Sequence, residues 1–179
     1  MSKKNLIFFI SLIFIVLLIN CSSNKVLTSD NIKRKMTDDY AFEINKKELT
    51  KEEFNNISDY IKICEKNIKK IKKLYKKNKF EKIGKYIKEI EEEKVNVNSL
   101  ITKDDYFNES QLFKGLLFEK KFNFKEAEKI YKNIDRKSRY GKIAENRILR
   151  TIEDTDKDGF IDSLEIELKT NYNNPLSHP

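Results

Sequence analysis

Between Phe54 and Tyr75 the apolar side chains fall at Phe54, Ile57, Ile61, Cys64, Ile68, Ile71 and Tyr75, in alternating steps of three and four residues. Steps of that size return to one side of an α-helix, so the spacing predicts a long helix with a single apolar stripe. Such a stripe must be covered by another element. Lys77, Asn78 and Lys79 interrupt it, and Phe80, Ile83, Ile87 and Ile90 resume the spacing, which predicts a second helix folded back antiparallel on the first. The stretch from Glu91 to Leu100 is expected to be a connection. An Asp104 or Asp105 cap would open a third helix carrying Phe107, Leu112, Phe113, Leu116, Leu117 and Phe118. Asn123 would turn the chain into a fourth, with Phe124, Ala127, Ile130, Tyr131 and Ile134. A fifth is expected on Tyr140, Ile143, Ala144, Ile148 and Ile152, and a short sixth near Ser163 to Lys169. The absence of Trp and the presence of only four Gly suit helices, and the predicted fold class is all-α.

The two ends of the chain are of different character. Lys3 and Lys4 precede an apolar run of fourteen residues from Leu6 to Ile19, followed by Asn20 and Cys21, which is the layout of a secretory signal peptide. A helix crossing a bilayer needs roughly 20 such residues, so cleavage is the expected fate. Leu18-Ile19-Asn20-Cys21 resembles the lipobox of bacterial lipoproteins. That resemblance implies acylation of Cys21, palmitate included, and a location in the cell envelope, at the periplasmic or outer face of the outer membrane. Two or more acyl chains anchor a protein stably. The polar stretch that follows reads as a tether with a reach of roughly 25 to 30 Å. The expected organisation is a signal peptide over residues 1–20, lipidated Cys and tether over 21–47, a helical domain over 48–153 and a C-terminal metal segment over 154–179.

With Cys21 committed to lipid, Cys64 stands alone, so no internal disulfide forms and Cys64 is expected in the core. The formal net charge is +8. Between Lys62 and Lys88 there are twelve Lys against Glu65 and Glu81, and Lys69, Lys70, Lys72, Lys73, Lys76 and Lys77 form the densest stretch. Such a stripe suits either a solvated face or an anionic glycan or lipid, and a calcium-dependent surface adhesin is the alternative function that it supports. Export and the lack of an aromatic-interleaved strand motif argue against nucleic acid. The sole histidine, His178, lies at the C-terminus, where a catalytic triad has no rigid support. No Gly-rich phosphate loop is present, and the protein is not expected to be an enzyme. A cell-wall hydrolase working through paired carboxylates is the remaining catalytic option.

The segment Asp154 to Glu165, DTDKDGFIDSLE, places oxygen ligands where a twelve-residue calcium loop needs them. Asp154, Asp156 and Asp158 hold the first, third and fifth places, and Phe160 offers a carbonyl at the seventh. Asp162 stands at the ninth, where the link is often through water, and Glu165 at the twelfth, where the chelation is bidentate. Gly159 permits the sharp turn. The segment resembles the EF-hand loop. With LEIELKTNYNNP downstream it is also similar to the calcium repeats of thrombospondin type 3 kind, on Thr170, Asn171, Asn174 and Pro175. One bound calcium ion with a structural role is the expectation.

Gly115, Phe118, Phe124, Ala127 and Tyr131 resemble one tetratricopeptide repeat, and Phe80, Ile83 and Ile87 repeat the last three positions at an offset of 44 residues against about 34 for that family. The resemblance implies a short stack of helical hairpins that binds a protein partner through these positions. An envelope adaptor is the predicted function.

Overall fold

The structure is a computed structural model and describes residues 40–177. Cys21, residues 1–20 expected to be a signal peptide, and His178 lie outside the described residues. The first helix, α1 (Lys51–Tyr75), opens on a capping box: Thr50 Oγ1 accepts from Glu53 N at 3.1 Å, and Glu53 Oε2 accepts from Thr50 N at 2.9 Å. It ends before Asn78, whose φ of 54° is a conformation that Asn tolerates better than most residues. Its stripe is buried as expected from Ile57 through Ile71, joined by Tyr60 and Asn67, which the hydrophobic spacing did not include. Each fully buried Ile contributes roughly 2 kcal/mol.

A single 3-10 turn at Phe80–Lys82 leads into α2 (Gly84–Val97). Asn67 donates to Glu89 at 2.8 Å while Tyr75 meets Phe80, so α2 runs back along α1 as the spacing predicts. The stretch from Glu91 is not a connection. Helix α2 continues to Val97, and a 3-10 turn then delivers a short strand.

That strand, β2 (Ile101–Asp104), pairs antiparallel with β1 (Phe42–Ile44), with Phe42 opposite Asp104 and an irregularity at Glu43/Ile44. The fold is therefore mostly helical with one two-stranded sheet rather than wholly helical. Phe42 is buried, so ordered packing begins inside the stretch assigned to the tether. Segments of three and four residues carry too little alternation to be distinguished from loop.

The remaining helices are α3 (Asp105–Glu119), α4 (Phe124–Lys132), α5 (Gly141–Ile152) and α6 (Asp162–Leu168). Asp104 caps α3, accepting from Phe107 N, and Asn123 caps α4, accepting from Glu126 N, at the two expected places. Helix α3 packs against both α1 and α2, and α4 against α3 and α5. Its buried set differs from the expected stripe. Leu112 is buried, but Asp105, Asn108, Glu109, Ser110 and Gln111 are buried with it, while Phe107, Phe113, Leu116, Leu117 and Phe118 are half-buried. Polar partners on neighbouring elements make that arrangement stable: Glu91 accepts from Gln111 and Lys114, and Asn108 accepts from Asp135 N.

Two apolar clusters result. The larger joins β1, α1, α2, β2 and Tyr106, while the smaller joins Leu112, Ala127, Tyr131, Ile134, Tyr140 and Ala144. Of the expected stripe of α5 only Tyr140, at its N-cap, and Ala144 are buried; Ile148 is half-buried, and Ile143 and Ile152 are 44% and 53% exposed. No described element covers that side.

Candidate metal centre

The candidate loop begins where α5 ends, with Glu153 N bonded back to Leu149 O. Asp154 folds it: Oδ1 accepts from Lys157 N at 2.8 Å and Oδ2 from Gly159 N at 3.2 Å. These bonds require reversed backbone at Lys157 (φ 60°) and Gly159 (φ 97°), and only the glycine adopts it without steric cost. Asp158 Oδ1 accepts from Phe160 N at 2.8 Å. The loop closes through Asp162 N to Glu153 O at 2.8 Å.

Asp154, Asp156 and Asp158 each offer one carboxylate oxygen, and all three lie within 4.8 Å of one another. Oxygens around one calcium at 2.3 to 2.6 Å stand at most roughly 5 Å apart, so the cluster has the right size. Both oxygens of Asp156 are buried and have no hydrogen-bond partner. Glu165 is 0% exposed although it lies on a helix of only seven residues. Its Oε1 accepts only a long bond from Thr170 Oγ1 at 3.4 Å, and its Oε2 is buried without a partner. Burial pushes the Glu165 carboxyl above the usual range, and the charges of Asp156 and Asp158 push it further. Three aspartates thus converge, and within the loop the unmet buried oxygens belong to Asp156 and Glu165.

Asp162 is placed differently from the first three. Its two oxygens accept from Thr155 N at 2.7 Å and Thr155 Oγ1 at 2.6 Å, tying the start of the loop to its end. A ninth-place residue that reaches the ion through water is compatible with that role. Phe160 is half-buried at the seventh place. Ser163 Oγ donates to Arg150 O at 2.6 Å and Lys120 Nζ lies 3.7 Å from Glu167, so α6 is held to α5 and to the end of α3 by polar contacts.

The other predicted site residues are spread over the fold. Gly115, Ala127 and Tyr131 are buried between α3 and α4. A methyl group on Gly115 would press into the Tyr131 ring, and Tyr131 OH donates to Glu119 at 2.6 Å. Phe118 and Phe124 are half-buried. Cys64 is a buried free thiol, as expected, and burial pushes its pKa up. Lys69, Lys70 and Lys73 are exposed on α1 and Lys76 and Lys77 in the turn that follows, whereas Lys72 turns aside to pair with Glu109 at 2.8 Å and to donate to Tyr40 OH at 3.1 Å. Lys72 is thus half-buried and paired across elements, unlike the other five. The apolar spacing missed Tyr40, Tyr60 and Glu109 because their roles depend on hydrogen bonds across distant segments.

Comparison of the chain with protein families, with curated proteins and with solved structures finds no match. No described helix is long and apolar enough to cross a membrane.

Proposed function

We propose that the protein is a lipid-anchored envelope adaptor, held to the outer membrane by acyl chains on Cys21, whose C-terminal loop binds one structural calcium ion. The observation that carries the metal reading is the fully buried Glu165, whose Oε2 lacks a partner and whose carboxyl feels the charges of Asp156 and Asp158, two members of the aspartate cluster. A buried carboxylate without a counter-charge is costly, and a divalent ion ligated by Asp154, Asp156, Asp158 and Glu165 removes that cost. Phe160 would add its carbonyl and Asp162 a water-mediated contact. The ion acts as a clip between α5 and α6, in a single helix-loop-helix unit.

The tetratricopeptide-like reading is supported by the shared burial of Phe80, Ile83 and Ile87 with Phe124, Ala127 and Tyr131: the first of each set is half-buried and the others buried. Helix α5 would then cap a stack of two hairpins. Protein binding is supported by the uneven distribution of exposed large apolar side chains. Among the described residues, seven of the nine, Ile143, Leu149, Ile152, Ile166, Leu168, Tyr172 and Leu176, lie beyond residue 140. Exposed apolar side chains concentrated in α5, α6 and the segment after them suit an interaction site, and the calcium clip would hold α5 and α6 in position to present it.

Titration calorimetry of the intact protein with calcium tests the metal reading. Binding in the range of about 0.1 to 1 mM is expected, lost in Asp154→Ala and Glu165→Ala. Unchanged binding in both variants would refute the ligand assignment. Capture from solubilised envelope tests the adaptor reading, with a partner expected that is released by chelator.

A further inference from the structure

The lysines of α1 form a stripe opposite its buried side, and the structure extends that stripe across a second element. Lys66, Lys69, Lys70 and Lys73 of α1 are exposed, as are Lys77 in the turn that follows it and Lys85 of α2. None of the six forms an ion pair among the described residues. Lys70 Nζ lies 5.8 Å from the centre of the Tyr86 ring and Lys85 Nζ lies 4.8 Å from it. One half-buried tyrosine thus gathers cations from both helices, which turns the stripe into a broad face. Its opposite edge carries Lys69, which lines an open pocket of about 300 Å³ with Tyr40, Glu65, Ile68, Lys72 and Tyr106. Tyr40 is the first described residue, and it is stacked on Tyr106 at 4.1 Å.

The segment joining Cys21 to the fold therefore arrives beside the basic face. Eighteen residues lie between Cys21 and Tyr40 and span at most about 60 to 65 Å. We infer that the Lys-rich face of α1 and α2, centred on Tyr86, docks on the anionic phospholipid headgroups of the membrane that holds the acyl chains. The inference rests on the lipid anchor at Cys21. The charge is complementary to an anionic leaflet, and the anchor keeps the face at high effective concentration above it. A tyrosine flanked by lysines suits the headgroup region, where an amphipathic ring is stable. The attraction acts within a Debye length of about 8 Å, so the face must lie close against the surface. In that orientation the N-terminal helices meet the membrane.

The test uses the full lipidated protein reconstituted in vesicles of phosphatidylcholine with or without phosphatidylglycerol, with lysine acetylation by a neutral reagent mapped by mass spectrometry. Labelling of Lys66, Lys70, Lys73 and Lys85 should fall several-fold in the anionic vesicles and recover at about 0.5 M NaCl, where screening shortens the field to a few Å. Lys129 and Lys142 serve as references and should change little. Lys70→Glu combined with Lys85→Glu should abolish most of the protection of Lys66 and Lys73. Lys129→Glu combined with Lys142→Glu makes the same change in net charge and should leave the protection in place. Equal labelling in the two vesicle types overturns the inference, as does protection by a soluble anionic glycan but not by the anionic vesicles. The intact mass reports the acyl chains separately: their absence refutes the anchor, whereas protection lost in a protein of the acylated mass refutes the face.

Discussion

Asp104 and Glu109 in the N-terminal half are almost as buried as Glu165 in the C-terminal loop, at 7%, 5% and 0% exposure, yet their surroundings differ. Asp104 accepts from Tyr60 OH at 2.6 Å, Lys94 Nζ at 2.9 Å and Phe107 N at 3.0 Å. Glu109 accepts from Tyr40 OH at 2.6 Å and pairs with Lys72 at 2.8 Å. Glu165 has one long contact with Thr170 and three aspartates for neighbours. A carboxylate whose counter-charge comes from the chain is stabilised by folding alone, and one without it makes local order depend on something added. The N-terminal half also rests on an extensive apolar cluster, whereas the only fully buried side chains of α6 are Asp162 and Glu165. The first region is self-sufficient. The second leaves buried carboxylate oxygens of Asp156 and Glu165 without a partner.

The strongest way to break that contrast is at Asp104. Asp104→Ala leaves Lys94 and Tyr60 buried without their acceptor and should cost about 3 to 5 kcal/mol in denaturant unfolding, with or without calcium. A calcium-dependent cost would mean that the two regions are coupled.

Glu165→Gln should change sign with the metal. In chelator it removes one of several repelling charges and should leave the C-terminal segment no less stable. In about 2 mM calcium it should forfeit the stabilisation by ligand, about 1 to 2 kcal/mol for a site of millimolar or tighter affinity. Hydrogen exchange resolved by segment checks both arms, with α1 to α3 unaffected. A uniform loss in both conditions would make Glu165 an ordinary core residue.

Gly115→Ala should cost about 1 to 3 kcal/mol, because the added methyl meets the Tyr131 ring, which is itself fixed by Glu119. The cost should be the same in chelator, since Gly115 belongs to the self-sufficient part. Thermal melts in both conditions provide the comparison.

The smallest effect concerns alkaline pH. Burial alone would lower the Lys72 pKa, but hydrogen bonds to Glu109 and Tyr40 outweigh it and the net shift is upward. A cation with a raised folded pKa contributes stability that is fully present below the unfolded value of about 10.4 and is lost as pH rises through the folded value. Stability should therefore decline above about pH 10.4, and Lys72→Met should flatten that part of the profile. An unchanged slope would remove Lys72 from the network.

The helices of the N-terminal half were legible because their apolar spacing is long and regular. The α1 stripe from Ile57 to Ile71 and the caps at Asp104 and Asn123 all lie where the sequence places them. The sheet was not legible, since β1 and β2 are too short for alternation to register. On α3 the expected apolar stripe gave way to a buried polar set whose partners, Glu91 and Asp135, lie far away in the chain. At the candidate metal centre the ligand types and spacing were visible in DTDKDGFIDSLE, but not that Thr155 would occupy both oxygens of Asp162.

Local order in the sequence determined whatever depends on residues a turn or two apart: helix positions, caps, and the run of acids that folds back on itself through Gly159. Only the tertiary structure decided which charges are matched. It joined Tyr40 and Lys72 to Glu109 and Tyr60 to Asp104, and it left Glu165 without a counter-charge. The physical reason is that helical periodicity is set by neighbours along one element, whereas the solvation of a buried charge is set by every element packed around it.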